Sequence, residues 1–190
     1  MSKTPQTAVE LSEVIRDRWS PRSFDETYEL SDQELLAILE AGRWAPSAMN
    51  SQPWRFSVAK RGSDLHKKLE AALSGFNQKW APAASALVVV SVKKTDDGAS
   101  SKGNFYDAGL SVASMTLQAQ ALGLHSHQMA GIDAKKMAEI LEIPVDFEVA
   151  IAVAIGKRDV PEKLEGQALD RELAPRERMA LAEIVLHGLP

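Results

Sequence analysis

Apolar side chains along this chain follow one of two rhythms, and the rhythm changes where glycine and proline fall. Ala8, Leu11, Val14 and Ile15 recur at helical spacing, which predicts an amphipathic helix over residues 7–18, stopped by Pro21. Ser31-Asp32-Gln33-Glu34 has the form of a capping box, and Leu35, Leu36, Ile38 and Leu39 behind it predict a helix to about Gly42. Trp54, Phe56 and Val58 alternate with Arg55, Ser57 and Ala59, the period of a half-buried strand. Gly62-Ser63-Asp64 opens another helix, expected to end near Ser74-Gly75.

Leu87 to Val92 is a β-branched run that reads as a buried strand. Lys93 to Gly103 lacks any large apolar residue and is expected to be a mobile loop, of a length often used for lids or cofactor-edge elements. Phe105 to Leu122 is the longest helical pattern. Its apolar residues lie nearly all round, so it should be buried on most sides, in a subunit interface as well as a core. Gly123 reads as its C-cap, Leu124 to Met129 as extended chain, and Asp133 as the cap of a helix ending near Glu142. Phe147 to Ile155 is the last strong strand. Helices and strands interleave without strict βαβ repetition, which favours an α+β fold over a doubly wound one.

Residues 157–190 break the pattern. They are rich in charge, with thin apolar spacing until Met179, Leu181, Ile184, Val185 and Leu186. Such a segment is expected to lie over something else or to be disordered.

Composition narrows the chemistry. With 190 residues, 45% hydrophobic and 25% charged, the chain is about one domain long and can build a sizeable core. The net charge of −4 argues against non-specific nucleic-acid binding while leaving room for a local anion site. There are no cysteines, so thiol catalysis, disulfides and thiolate metal sites are excluded, and redox chemistry would need a bound cofactor. The opening residues lack a signal-peptide core and no apolar run approaches a membrane span, so a cytoplasmic protein with no membrane partner is the expectation. Neither Gly-x-Ser-x-Gly, Gly-x-Gly-x-x-Gly nor a Walker loop occurs.

Two polar stretches carry the candidate chemistry. Trp44-Ala45-Pro46-Ser47-Ala48-Met49-Asn50-Ser51-Gln52-Pro53-Trp54 is bracketed by prolines and cannot be an interior helix or central strand. It is a shaped loop, either a plain turn or a frame of amides and hydroxyls suited to a flat polar heterocycle. Upstream, Arg16 to Ser23 places three arginines and two serines within eight positions around Pro21. Arg18, Ser20 and Arg22 can converge there on one anion, since the guanidinium fork holds phosphate oxygens in two-point contacts. Alone, such a cluster is as easily a set of weak surface pairs.

Taken together, the two stretches resemble the nitroreductase family of FMN-dependent oxidoreductases. Arg18-Trp19-Ser20-Pro21-Arg22 is similar to the family's basic-Ser-x-basic element, and Pro46 through Trp54 to its Pro-Ser-x-x-Asn-x-Gln-Pro-Trp element. Asp107-Ala108-Gly109-Leu110, Leu122-Gly123-Leu124, Ala130-Gly131-Ile132-Asp133 and Pro175-Arg176-Glu177-Arg178 follow in family order, so the resemblance spans nearly the whole chain.

The resemblance implies a three-layer α+β fold over residues 1–190, with a mainly antiparallel central sheet flanked by helices. It implies a homodimer with FMN at the subunit interface, and a C-terminal extension, residues 157–190, wrapping the partner. Arg18, Ser20 and Arg22 would hold the phosphate and ribityl chain, joined by Arg176 or Arg178, with Trp19 contributing its backbone. Pro46, Ser47, Ala48, Met49 and Asn50 of the other subunit would border the ring, and Asn50 is the expected side-chain contact. Ala48 stands where many relatives have serine and brings no hydroxyl. Asn77 would reach the pyrimidine edge, and Ala130 and Gly131 would present backbone donors near N5 and O4.

The reactive centre would be flavin N5, with no catalytic side chain. Hydride would come from NADH or NADPH and pass by ping-pong alternation to a small acceptor of nitroaromatic, quinone or enal type. Alternatives on the same scaffold are a reductive dehalogenase, a flavin-destroying enzyme, or a non-catalytic flavin-storage protein. An anion-binding interaction module is a further alternative.

His125 and His127 share one face of a predicted strand and read as packing or hydrogen-bonding residues rather than a metal pair. His66 and His187 read as helix-surface residues. Trp44, Trp54 and Trp80 read as core or interface.

Overall fold

The structure, a computed structural model, describes Lys3 and residues 5–188. In chain order its helices and strands are α1 (Glu13–Asp17), α2 (Asp32–Arg43), β1 (Trp54–Lys60), α3 (Asp64–Glu70), β2 (Ala86–Lys93), α4 (Lys102–Ala121), β3 (His125–Met129), α5 (Ala134–Ile140), β4 (Phe147–Gly156), α6 (Gly166–Leu173) and α7 (Leu181–Ile184). The four strands form one sheet in the order β1-β2-β4-β3, and every neighbouring pair is antiparallel.

Alternation along β2 decides the layering. Leu87 and Val89 point into a core shared with Leu69 of α3, Met137 of α5 and Ala168 of α6. Ala86, Val88, Val90 and Val92 point the other way, against Ile38 of α2 and Val112, Met115 and Ala119 of α4. Helices thus cover both faces of an antiparallel sheet, which is why the central strand is apolar on both sides. The expected three-layer α+β arrangement is the one observed.

Local signals explain the boundaries. Ser31 and Glu34 form the anticipated capping box at α2, with Glu34 N–H donating to Ser31 Oγ at 3.2 Å and Ser31 N–H to Glu34 Oε2 at 2.9 Å. Gly123 follows α4 with φ 74°, the left-handed conformation that glycine adopts without penalty.

Several expectations need correction. The helix read over 7–18 shrinks to α1: of its apolar stripe Ala8 and Ile15 stay exposed while Leu11 and Val14 are only half-buried, and Ser12 makes no side-chain cap among the described residues. The helix from Asp64 stops at Glu70 rather than near Ser74, as the chain turns to bridge Leu73 to Ile132 and to accept the Asp133 N–H on Ala72 O. His66 lies on the inward face of α3 beside Leu69 and is 0% exposed, with Nδ1 2.6 Å from Glu70 Oε1.

The loop from Lys93 to Gly103 is tied down rather than free. Lys94 N–H donates to Asp146 O, Thr95 N–H to Ala99 O, and Ser100 Oγ to Glu148 Oε2.

The first part of the tail lies over its own protomer. Lys157 to Val160 are stitched to the segment around Ser23–Asp25: Asp25 N–H donates to Lys157 O, Asp159 N–H to Ser23 O, and Ser23 Oγ to Val160 O at 2.6 Å. Beyond it, α6 seats Ala168 in the core of its own protomer. Val160 and Leu173 are exposed along the way, and from Met179 onward large exposed apolar side chains come close together, at Met179, Leu181, Ile184 and Leu186.

Candidate functional site

Arg18 ends α1 in an extended conformation, and Pro21 keeps the chain from re-entering a helix. Residues 18–22 therefore run as an open loop along the β3 edge of the sheet. There the His127 imidazole sits 2.9 Å from Pro21 O through Nδ1, and its ring packs on Trp80 at 4.5 Å.

A cleft of about 350 Å³ opens over this loop, lined by Arg18, Trp19, Ser20, Arg22, Arg171, Arg176 and Arg178 among others. Every residue expected to hold an anion is there. Arg18 Nη1 reaches Ser20 Oγ at 3.4 Å, and Arg22 lies 5.8 Å from the Phe76 ring and 5.9 Å from that of Trp80. Trp19 lines the same cleft with Lys3 Nζ over its ring at 4.2 Å.

The two tail arginines play different parts. Arg176 Nη1 donates to Lys3 O and Arg16 O, and its Nη2 to Arg18 O, at 2.7–2.9 Å. Its fork is occupied by backbone. Arg178 donates only to the neighbouring Glu177 O among the described residues, so its guanidinium is available to a ligand.

Positive charge here is poorly compensated. Burial, then the nearby Arg176 and Arg178, pushes the pKa of Arg18 below the usual arginine value, and burial with Arg171 does the same for Arg22. Asp17 is already engaged by Arg16 at 2.7 and 2.8 Å. Of the acidic groups nearby, Glu177 borders the cleft, and buried Glu172 turns its carboxylate to the backbone, accepting Arg22 N–H at 2.7 Å. Arg22 Nε is buried with no partner among the described residues. Such a cluster has the donors and charge to hold an anion.

Phe76 connects the cleft to a second group, since Arg22 and Arg171 both approach its ring. The next residue, Asn77, donates from Nδ2 to Gly131 O at 2.9 Å, and Ser74 N–H reaches the same carbonyl at 2.9 Å. A Cβ on Gly131 would fall 2.6 Å from Ser74 Oγ and 2.9 Å from Asn77 Nδ2, so any larger residue would push these two side chains from their present places. Neither the Ala130 nor the Gly131 N–H finds a backbone acceptor among the described residues. Both residues are exposed, placing two donors beyond the end of β3.

The loop 46–50 lies elsewhere. It precedes β1, the opposite edge of the sheet, three strand spacings or about 14 Å from β3. Met49, Asn50 and Gln52 have φ of 51°, 55° and 47°, a strained run held by side-chain bonds. Gln52 N–H donates to Ser47 Oγ at 3.0 Å, Gln52 Nε2 to Asn50 O and Oδ1 at 3.0 and 3.2 Å, and Ala48 N–H to Asp107 Oδ2 at 3.0 Å. Pro46, Ala48, Met49 and Asn50 are exposed.

Sequence reasoning missed the supports. Asp107 carries a signal in the sequence, as the one acidic residue within α4. Glu172 is indistinguishable in sequence from the charged residues around it.

His125 and His127 do share a face, as expected. Burial and the nearby guanidiniums hold both near pKa 4, and both stay neutral at physiological pH. No group of three or more potential metal ligands occurs among the described residues, and no described helix is long and apolar enough to cross a membrane.

Comparison with known proteins gives a consistent picture. Residues 15–94 and 73–157 match the model described as the Nitroreductase family. An oxygen-insensitive NADPH nitroreductase of Helicobacter acinonychis is 30% identical over 183 residues, covering 77% of this chain and 86% of its own. A crystal structure described as an oxidoreductase containing FMN superposes with a TM-score of 0.90 at 36% identity, covering 100% of this chain and 97% of that one. A Desulfovibrio desulfuricans protein solved in complex with FMN matches with a TM-score of 0.72 at 25% identity, covering 93% of this chain and 95% of its own.

Proposed function

The chain belongs to the nitroreductase family, and from that premise we propose that two copies of it bind FMN in the seam between them and act as an NAD(P)H oxidoreductase. The observation that carries this reading is the separation of the two halves of the site. The cationic cleft and the Ala130-Gly131 donors belong to the β3 edge, whereas the strained loop 46–50 belongs to the β1 edge. A second copy can bring the loop of one protomer to the cleft of the other. The exposed apolar side chains of α2 and α4, Leu36 at 63% and Tyr106 at 70% with Phe105 and Leu117, and Leu122 just after α4, favour such a partner.

In this reading Arg18, Ser20, Arg22 and Arg178 hold the phosphate, and Arg176 keeps the loop in shape. The residues fit the group: a buried guanidinium nitrogen without a partner among the described residues and a cluster of like charge suit an anion, and backbone donors without a backbone acceptor there suit a polar ring edge. Bound FMN would supply the redox centre, accepting hydride from NADH or NADPH and returning electrons to a small acceptor in alternation. The Ala130 and Gly131 N–H groups stabilise negative charge on the ring edge by the same physics as an oxyanion hole. Asn50, presented on a rigid frame by the partner, orients the ring. Nitroaromatic, quinone and enal acceptors all suit an open site bounded by these residues.

The test is spectroscopic. Purified protein supplied with FMN should retain flavin absorbance through gel filtration, and NADPH or NADH should bleach it anaerobically. Protein that stays colourless, or flavin that neither nucleotide reduces, refutes the proposal.

A further inference from the structure

The phosphate-binding reading leaves one buried charge unused. Glu172, near the end of α6, is 2% exposed. Its Oε2 accepts the Arg22 N–H at 2.7 Å, and the Ser23 N–H faces the same carboxylate. Burial raises its pKa, opposed by these N–H groups and by the charges of Lys3 and Arg22. Lys3 Nζ does not reach that carboxylate; it donates to the backbone carbonyls of Glu172 and of Ala174, the latter at 2.7 Å. An ionised group so deep is costly unless its acceptor oxygens are used, and here they are used on the backbone of the arginine loop.

Arg176, four residues on, does the complementary thing. It takes the carbonyls of Arg16 and Arg18, on the other side of Ser20. The tail therefore grips the loop by opposite polarities, carbonyls before Ser20 and N–H groups after it. With both sides of the peptide run fixed, Arg18, Ser20 and Arg22 can turn their side chains to the cleft in one arrangement.

We infer that Glu172 is a positioning residue for phosphate recognition: its carboxylate, set in the tail, fixes the Arg22 backbone so that loop and tail of the same protomer form one preorganised anion site. The inference rests on the FMN assignment but is separable from it. A charge whose only role is to brace the fold would stabilise all ligands alike. A group that sets the spacing of phosphate-holding arginines matters only to ligands that carry the phosphate.

The experiment compares FMN with riboflavin, which lacks the phosphate, on apoprotein by flavin fluorescence quenching. Wild type should bind FMN far more tightly than riboflavin. Glu172→Ala should weaken FMN about tenfold, the scale of one lost charge-assisted hydrogen bond, while riboflavin shifts by less than about twofold. Glu172→Gln keeps an acceptor for the Arg22 N–H and should restore FMN affinity to within about threefold of wild type. Where Glu172→Ala does not fold, Glu172→Asp, which withdraws the carboxylate by one methylene, gives the same comparison.

An unchanged FMN-to-riboflavin ratio in the variants, with wild type discriminating, overturns the inference alone. Tighter FMN binding in both Ala and Gln variants overturns it too, because Glu172 would then act only by opposing the phosphate charge. Equal affinity of wild type for both flavins removes the phosphate reading itself.

Discussion

Arg176 and Arg178 sit two positions apart and should fail differently. Arg176 spends its fork on three carbonyls, so Arg176→Ala should destabilise the protein by about 3 kcal/mol and loosen the loop it holds. Arg178 is exposed and holds only its neighbour's carbonyl, so Arg178→Ala should lower FMN affinity about tenfold with little change in melting temperature. Thermal melts and flavin titrations of the pair check this; equal loss of stability in both would contradict the division of labour.

The histidines give a pH signature. His125 and His127 carry folded-state pKa values near 4, below the 6.5 of an exposed imidazole, and burial lowers His66 as well. The unfolded chain therefore binds more protons between pH 6.5 and 4, and stability falls as pH drops through that window, by at most roughly 3 kcal/mol for each of the first two. Glu172 runs the other way, adding stability below its ordinary 4.5 that is lost as pH rises through its raised value. The histidines outnumber it, so denaturant midpoints should be lower at pH 5 than at pH 7. A flat or inverted profile would show that the imidazoles are not buried neutral.

Among elements, the strained loop depends on α4. Asp107 is buried, and its Oδ2 accepts the Ala48 N–H just before three non-glycine residues with positive φ. Asp107→Ala should free that N–H, costing about 2 kcal/mol and releasing the loop. Hydrogen exchange at residues 46–52 should speed up in the variant, and an unaltered rate would mean the loop holds itself.

Most elements were legible because their signals are local. The capping box at Ser31, the alternation through Trp54 to Val58 and the glycine after α4 each fix a feature without distant help. The arginine loop was legible for the same reason, since Pro21 forces three polar side chains into an open turn. What could not be read depends on distant contacts. α6 hides in a charged tail because the core surface that receives Ala168 belongs to other elements, and the helix expected from residue 7 is short because only part of its stripe, Leu11 and Val14, gains even partial cover. Glu172 gains its meaning only from a backbone 150 positions away.

At the scale of the whole molecule, α4 and the sheet hold the two polar groups apart. Asp107, which anchors the loop, and Ala119, whose carbonyl takes the Leu124 N–H at the start of the β3 edge, are roughly 18 Å apart along α4. In the proposed dimer the loop of one protomer would meet the cleft of the other, so that a flavin touching both groups would touch two protomers. The tail's first part is committed to its own protomer, which leaves the apolar residues from Met179 onward as the segment free to reach across.

Mixed dimers of Arg22→Ala and Asn50→Ala subunits test this most directly. Each homodimer should be depleted of FMN, because both of its seams carry a defect. In the mixed dimer one seam collects both defects and the other pairs native Arg22 with native Asn50. The account predicts one FMN per mixed dimer, reducible by the same nicotinamide nucleotide as wild type; a mixed dimer as empty as its parents would place both residues in a site built within one chain and contradict it.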